Sequence, residues 1–166
     1  MDLLDRLLGH DAWTTRRLLE HCRAFDDERL DRGHDLAHRS VRATFLHIVR
    51  SMEVWGDLMA GVEVRPDRNA EPVGRSIEGL LARLDQAAAD LAAIARDVAA
   101  RGAWDERWLD VLDDPPTEKS YGGAIAHVIT HSMHHRAQVI QLLRDVGAPA
   151  PIEGDVLSWE MQARRP

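Results

Sequence analysis

Four histidines, His127, His131, His134 and His135, fall within nine consecutive residues of a chain that holds nine histidines in 166 residues. A neutral imidazole is a ligand for divalent transition-metal ions. Two such rings four residues apart on a helix leave the same face, so a rigid backbone can aim both at one ion. On a wheel of about 100° per residue, setting His131 at zero places Ile125, Val128, Ile129, Val139, Leu142, Leu143 and Val146 in an arc from roughly +20° to +160°. His135 lies inside that arc near +40°, whereas His127 falls at about −40° and His134 at about −60°. The inward pair is therefore His131 with His135, and His134 is expected to face outward or toward a partner.

A tight site needs a third protein ligand, and in helical bundles it comes from a facing helix. His47 is the best candidate. It sits beside Thr44, Val54 and Leu58 on the flank of an apolar stripe, away from the polar set Arg42, Arg50, Glu53 and Asp57. Any one of these histidines alone is more often an ordinary hydrogen-bonded residue; the inward pair joined by His47 tips the balance toward a metal. Three imidazoles leave coordination positions open, the pattern of a reactive rather than a closed structural site. Imidazole suits Zn²⁺, Ni²⁺, Fe²⁺ and Cu²⁺ alike, with Zn²⁺ or Ni²⁺ expected. Gln138, at about −20°, is placed to orient a ligand or a bound molecule, and His10 to line the pocket. Trp104 and Trp108 are candidates to wall it. Arg136 reads as a salt-bridge or interface residue.

The elements that must carry these residues are four long helices separated by Gly, Pro and Asp. The first is expected from about Leu3 to Ala24. The second starts at the N-cap Ser40 and stops at Gly61, with the stripe Val41, Phe45, Ile48, Met52, Trp55, Met59. The third runs from Ser76 to about Ala100 before Gly102. The fourth runs from Tyr121 or Gly123 to Val146 before Gly147, and a short last helix covers 155–163. Residues 62–75 and 104–119 read as long connections, the second interrupted by Asp113-Asp114-Pro115-Pro116. The fold class is thus all-α, one four-helix-bundle domain over 1–166 with long interhelical connections and a short C-terminal helix.

Composition closes several alternatives. Hydrophobic residues make up 45% and charged ones 30%, the balance of an ordinary globular domain. The net charge of −7, with arginines scattered rather than collected in a stripe, argues against a nucleic-acid groove. One cysteine, Cys22, cannot make an internal disulfide and reads as a small apolar residue. There is no basic leader with an apolar stretch behind it and no run long enough to span a bilayer, so no membrane association and a cytoplasmic setting are expected. No phosphate-binding glycine loop, Gly-x-Ser-x-Gly elbow or Cys–His nucleophile is present.

The run His127-Val-Ile-Thr-His131-Ser-Met-His134-His135-Arg136-Ala137-Gln138, together with Leu46-His47-Ile48, resembles the signature of the DinB/YfiT-like family of helical metalloproteins. The segment Leu7-Leu-Gly-His10-Asp11-Ala-Trp13 is similar to that family's first helix, and 153–160 to its tail. The resemblance implies a four-helix bundle, often a homodimer, with one divalent ion on residues matching His47, His131 and His135. It implies a metal-dependent transferase that activates a low-molecular-weight thiol of the bacillithiol, mycothiol or glutathione type for attack on a small-molecule electrophile. The alternative it leaves is a non-catalytic metal-binding stress-response or ligand-binding module. Ala137 departs from the glycine common in the family at that position, on a face pointing away from the ligand pair.

Overall fold

A computed structural model of the chain describes residues 1–36, 38–149 and 154–163. The helices are α1 (Leu3–His21, prolonged by a 3₁₀ turn at Cys22–Ala24), α2 (Asp27–Leu30), α3 (Val41–Ala60), α4 (Pro72–Arg75), α5 (Ile77–Arg101), α6 (Tyr121–Asp145) and α7 (Val156–Ala163). Each long helix starts on a side chain that accepts from its free backbone N–H groups, which would otherwise lose their partners. Asp2 does this for α1 within a reciprocal box with Asp5, and Ser40, Ser76 and Ser120 do it for α3, α5 and α6. Gly61 and Gly102 end α3 and α5 at φ of 66° and 65°, a left-handed conformation that strains any residue with a Cβ.

The four long helices pack as a square: α3 lies against both α5 and α6, and α1 lies against the same two. Consecutive α3 and α5 are neighbours, whereas the chain crosses the diagonal from α1 to α3 and from α5 to α6. Phe45, Ile48, Val49 and Met52 of α3 interlock at the centre with Leu80, Leu84 and Leu91 of α5, Leu18 and Leu19 of α1, and Val139, Leu142 and Leu143 of α6, all at 2% exposure or less. The stripes legible in the sequence are thus the faces that leave water, which is the main source of bundle stability. Among the described residues no helix is long and apolar enough to cross a membrane.

Two connections depart from the sequence expectation of plain loops. The connection from 104 to 120 contains an antiparallel hairpin, β1 (Arg107–Asp110) paired with β2 (Thr117–Ser120). It forms because the Asp-Pro run that forbids a helix leaves the flanking segments free to pair, and Lys119 then ties its Nζ to Asp110 and Asp113. In the connection between α3 and α5 the helical turn α4 lets the chain fold back over α3. That covers the polar set of α3: Arg42, Glu53 and Asp57 are 3%, 3% and 4% exposed. Each is matched, Glu53 by two 2.8 Å bonds from Arg83, Asp57 by Arg65, and Arg42 by Asp27 and Asp31. Buried charges survive only with such partners. Glu153, the first residue of the tail segment, lies outside the described residues.

Candidate metal centre

The packing of α3 on α6 brings His47 opposite His131 and His135. Ring centroids are 4.9 Å apart for His47–His131, 4.6 Å for His47–His135 and 4.4 Å for His131–His135. The Nε2 atoms of His47 and His131 approach to 3.0 Å. His135 uses Nδ1–H to donate to Gln138 Oε1 at 2.6 Å, and the Gln138 amide donates to His134 Nε2 at 3.1 Å. With its Nδ1 occupied, His135 holds the tautomer whose Nε2 lone pair is free. The three residues singled out from spacing therefore meet in one place, and Gln138 orients one of them.

His38, which spacing arguments missed, joins them. Its ring stacks on His47 at 3.8 Å and 27° and lies 5.1 Å from His135. One ring nitrogen from each of His38, His47 and His135 lies within 4.8 Å of the others. His38 belongs to the turn before α3, where no helical period exists to mark it; its one signal was its nearness to the N-cap Ser40.

The cluster is chemically uniform. Burial and the neighbouring imidazoles push His47 and His131 down to about 4, and burial lowers His38 and His135 as well. All four are neutral near pH 7, the form that ligates metal. The donor set fits a borderline divalent ion. On a tetrahedral ion with bonds of about 2.1 Å two imidazole nitrogens sit about 3.4 Å apart; the His47 and His131 Nε2 atoms, at 3.0 Å, are at N–H···N hydrogen-bond distance, close to that spacing.

The other expected residues fall elsewhere. His10 is 7% exposed, and its Nε2 bonds to the Gly154 carbonyl at 2.5 Å, so it anchors the approach to α7. His134 is exposed, bonding to Gln138 and meeting the His135 ring edge-on at 5.1 Å. His127 is exposed one turn before His131, its ring 5.4 Å from His131 and 4.9 Å from Trp55. Trp55 and His127, with Lys119, Ser120, Gly123 and Ala124, line an open cavity of about 390 Å³. Trp108 stands edge-on behind Trp55, and Trp104 lines a separate apolar groove with Leu3, Leu4 and Leu7.

Arg136 forms the ion pair that its type suggested. Its guanidinium is 3% exposed and bonds to the Asp11 carboxylate and, at 3.1 Å, to Thr15 Oγ1. Burial pushes the Asp11 carboxyl up, and Arg136 opposes that shift. The pair bolts α1 to α6 immediately beside His135, and links the His-Asp segment of the first helix to the His-His-Arg segment of the fourth long helix.

A bundle whose facing helices α3 and α6 gather imidazoles into one neutral nitrogen cluster defines a helical protein with a candidate divalent-metal centre. The family model described as the DinB family matches residues 1–164, and the chain belongs to that family. No curated protein matches the chain.

Proposed function

We propose that the chain binds one divalent ion through His47, His131 and His135 and uses it to activate a low-molecular-weight thiol for attack on an electrophile. The observation that carries this reading is the convergence of three half-buried, neutral imidazoles from two packed helices. A bound divalent ion lowers the pKa of a thiol and holds it as thiolate at neutral pH. The chain's own part is to fix ligand direction: Gln138 sets the His135 tautomer, and the Asp11–Arg136 pair holds the rotation of α6. The cavity beside Trp55 and His127 offers the electrophile an apolar wall within one ring contact of His131. A homodimer and a cytoplasmic setting belong to the same reading by family resemblance.

A second reading, a non-catalytic metal-binding module in stress response or ligand binding, is favoured by one observation. His38 adds its imidazole to the cluster, with ring nitrogens of His38, His47 and His135 within 4.8 Å of one another, and a site filled by protein nitrogens leaves no position for a substrate. The test is metal content followed by turnover. About one ion per chain in purified protein, with transfer of bacillithiol, mycothiol or glutathione to an aryl halide, supports the first reading. Metal without turnover on any of the three thiols supports the second. Protein that takes up no ion defeats both.

A further inference from the structure

The cavity next to the imidazole cluster has a size, a wall and a charge pattern of its own. Its volume of about 390 Å³ falls in the range of small-molecule sites, about 300–1,000 Å³. Gly123 and Ala124, at the start of α6, leave open the space that larger side chains would fill, and the Trp55 indole supplies apolar surface opposite them. The indole is held in place: Trp108 meets it edge-on with ring centroids 6.0 Å apart, and the Lys119 ammonium lies 5.7 Å from its ring centre. His127 joins the cavity to the cluster, its ring 4.9 Å from Trp55 and 5.4 Å from His131. The polar groups around the cavity are already paired. Lys119 Nζ bonds to Asp110 at 2.9 Å, to Asp113 at 2.6 Å and to Thr117 Oγ1 at 2.9 Å. The first three N–H groups of α6, those of Tyr121, Gly122 and Gly123, donate to the Glu106 carbonyl, the Trp104 carbonyl and Ser120 Oγ.

We propose that this cavity holds the ring of the electrophile and selects a neutral, electron-poor aromatic over an anionic one, with Trp55 as the residue that sets this specificity. The proposal rests on the thiol-transfer reading above and names its substrate class. An aromatic ring that a thiolate can attack is depleted of electrons, and the indole face is rich in them, so the two favour an offset stack. Because Trp108 and Lys119 already hold the indole, little ordering is left for the ligand to impose. An anion fares differently. Of the described residues lining the cavity Lys119 alone carries a fixed charge, and two carboxylates already balance it. A carboxylate entering there meets like charge from Asp110 and Asp113 and finds the N–H groups at the start of α6 occupied, which leaves it without a partner. The arrangement therefore admits the ring and turns away the charge.

The probes are 1,3-dinitrobenzene and 3,5-dinitrobenzoate, the same electron-poor ring without and with a carboxylate. Neither carries a leaving group and no thiol is added, so titration of the full chain at pH 7, followed by ¹⁵N NMR, reads binding alone. Dinitrobenzene is expected to shift the Trp55 indole N–H and the Gly123 amide, and dinitrobenzoate to bind about tenfold more weakly or less. Trp55→Leu should weaken dinitrobenzene binding roughly two- to tenfold and Trp55→Phe should restore most of it. Equal binding of the two probes, or tighter binding of the benzoate, would overturn the charge selection and show Lys119 to be available to ligands. Shifts that miss Trp55 and Gly123 would overturn the site, and undiminished binding by Trp55→Leu would overturn the role of the indole. If Trp55→Leu fails to fold, the two titrations of the wild type still decide site and charge. Absence of binding in protein that holds its ion removes this inference and leaves the metal reading, whereas binding in protein that takes up no ion removes thiol transfer and leaves an aromatic site.

Discussion

Removing His47 is the sharpest perturbation of the centre, because its ring touches all three of the other clustered rings. An ion that binds only the folded chain stabilises it by about 4.1 kcal/mol when present at a thousandfold excess over its dissociation constant. For a chain of this length each kcal/mol moves the midpoint by about 2–4 °C, so the metal-dependent shift should be roughly 8–16 °C. Losing a group that merely orients a ligand costs about 10–100-fold in affinity. Losing a ligand costs more, and a thousandfold loss leaves about 0.4 kcal/mol, or roughly 1–2 °C. His134→Ala is the control, since His134 is exposed and its Nε2 is taken up by the Gln138 amide. The assay is calorimetry of metal-free and Ni²⁺- or Zn²⁺-loaded protein with elemental analysis of the same samples. His47→Ala should lose both the shift and the metal, and His134→Ala should keep both. Equal loss in the two variants, or a full shift in His47→Ala, would refute the ligand assignment.

Arg136→Met leaves the Asp11 carboxylate buried without its partner and should cost about 3–5 kcal/mol in urea unfolding, with much of the loss recovered when Asp11 is also replaced by Leu; no recovery would mean the pair does more than balance charge. Cys22, fully buried with its thiol pushed up to about 12, should resist iodoacetamide at pH 8 in the native protein and react promptly in guanidinium, so rapid native labelling would contradict its placement in the core. Metal-free protein should become less stable as pH falls from about 6.5 toward about 4, because the folded state, with His47 and His131 held below their ordinary value, binds fewer protons there than the unfolded chain. A melting profile that rises on acidification through that window, or one that His47→Ala leaves unchanged, would count against it.

The helices and the meeting of the three helical histidines were legible because both rest on the same period. Residues Val128, Val139, Leu142 and Leu143 define the buried arc of α6, and by the same arithmetic His131 falls at its edge and His135 inside it. The caps Ser40 and Ser76 and the stops Gly61 and Gly102 were legible because each is a local backbone requirement. What escaped has no period. His38 is brought to the cluster by a turn conformation at Arg39, which no spacing rule encodes. The hairpin 107–120 has strands of four residues, too short for alternation to stand out from a charged connection. The buried state of Glu53 and Asp57 depends on Arg65 and Arg83, which come from the connection after α3 and from α5, so their burial is a property of tertiary folding alone.

The placement of Arg136 directly after His135 has a mechanical sense. A ring nitrogen lies about 6 Å from the axis of its helix, so a rotation of about 10° displaces it by about 1 Å. Metal–ligand distances tolerate only about 0.2 Å. Close packing of Val139, Leu142 and Leu143 opposes such a rotation, though apolar contacts have no direction of their own. A buried guanidinium cannot slide in that way: moving it by 1 Å breaks its bonds to Asp11 and Thr15 at once and exposes both charges to an apolar interior. The residue that must not move is thus placed about 100° from the ligand it protects, on the face toward α1, while the ligands face α3. One helix then carries a lock on one side and the proposed metal ligands on the other, and the free-energy cost of separating the buried Asp11–Arg136 pair helps hold His131 and His135 in register with His47.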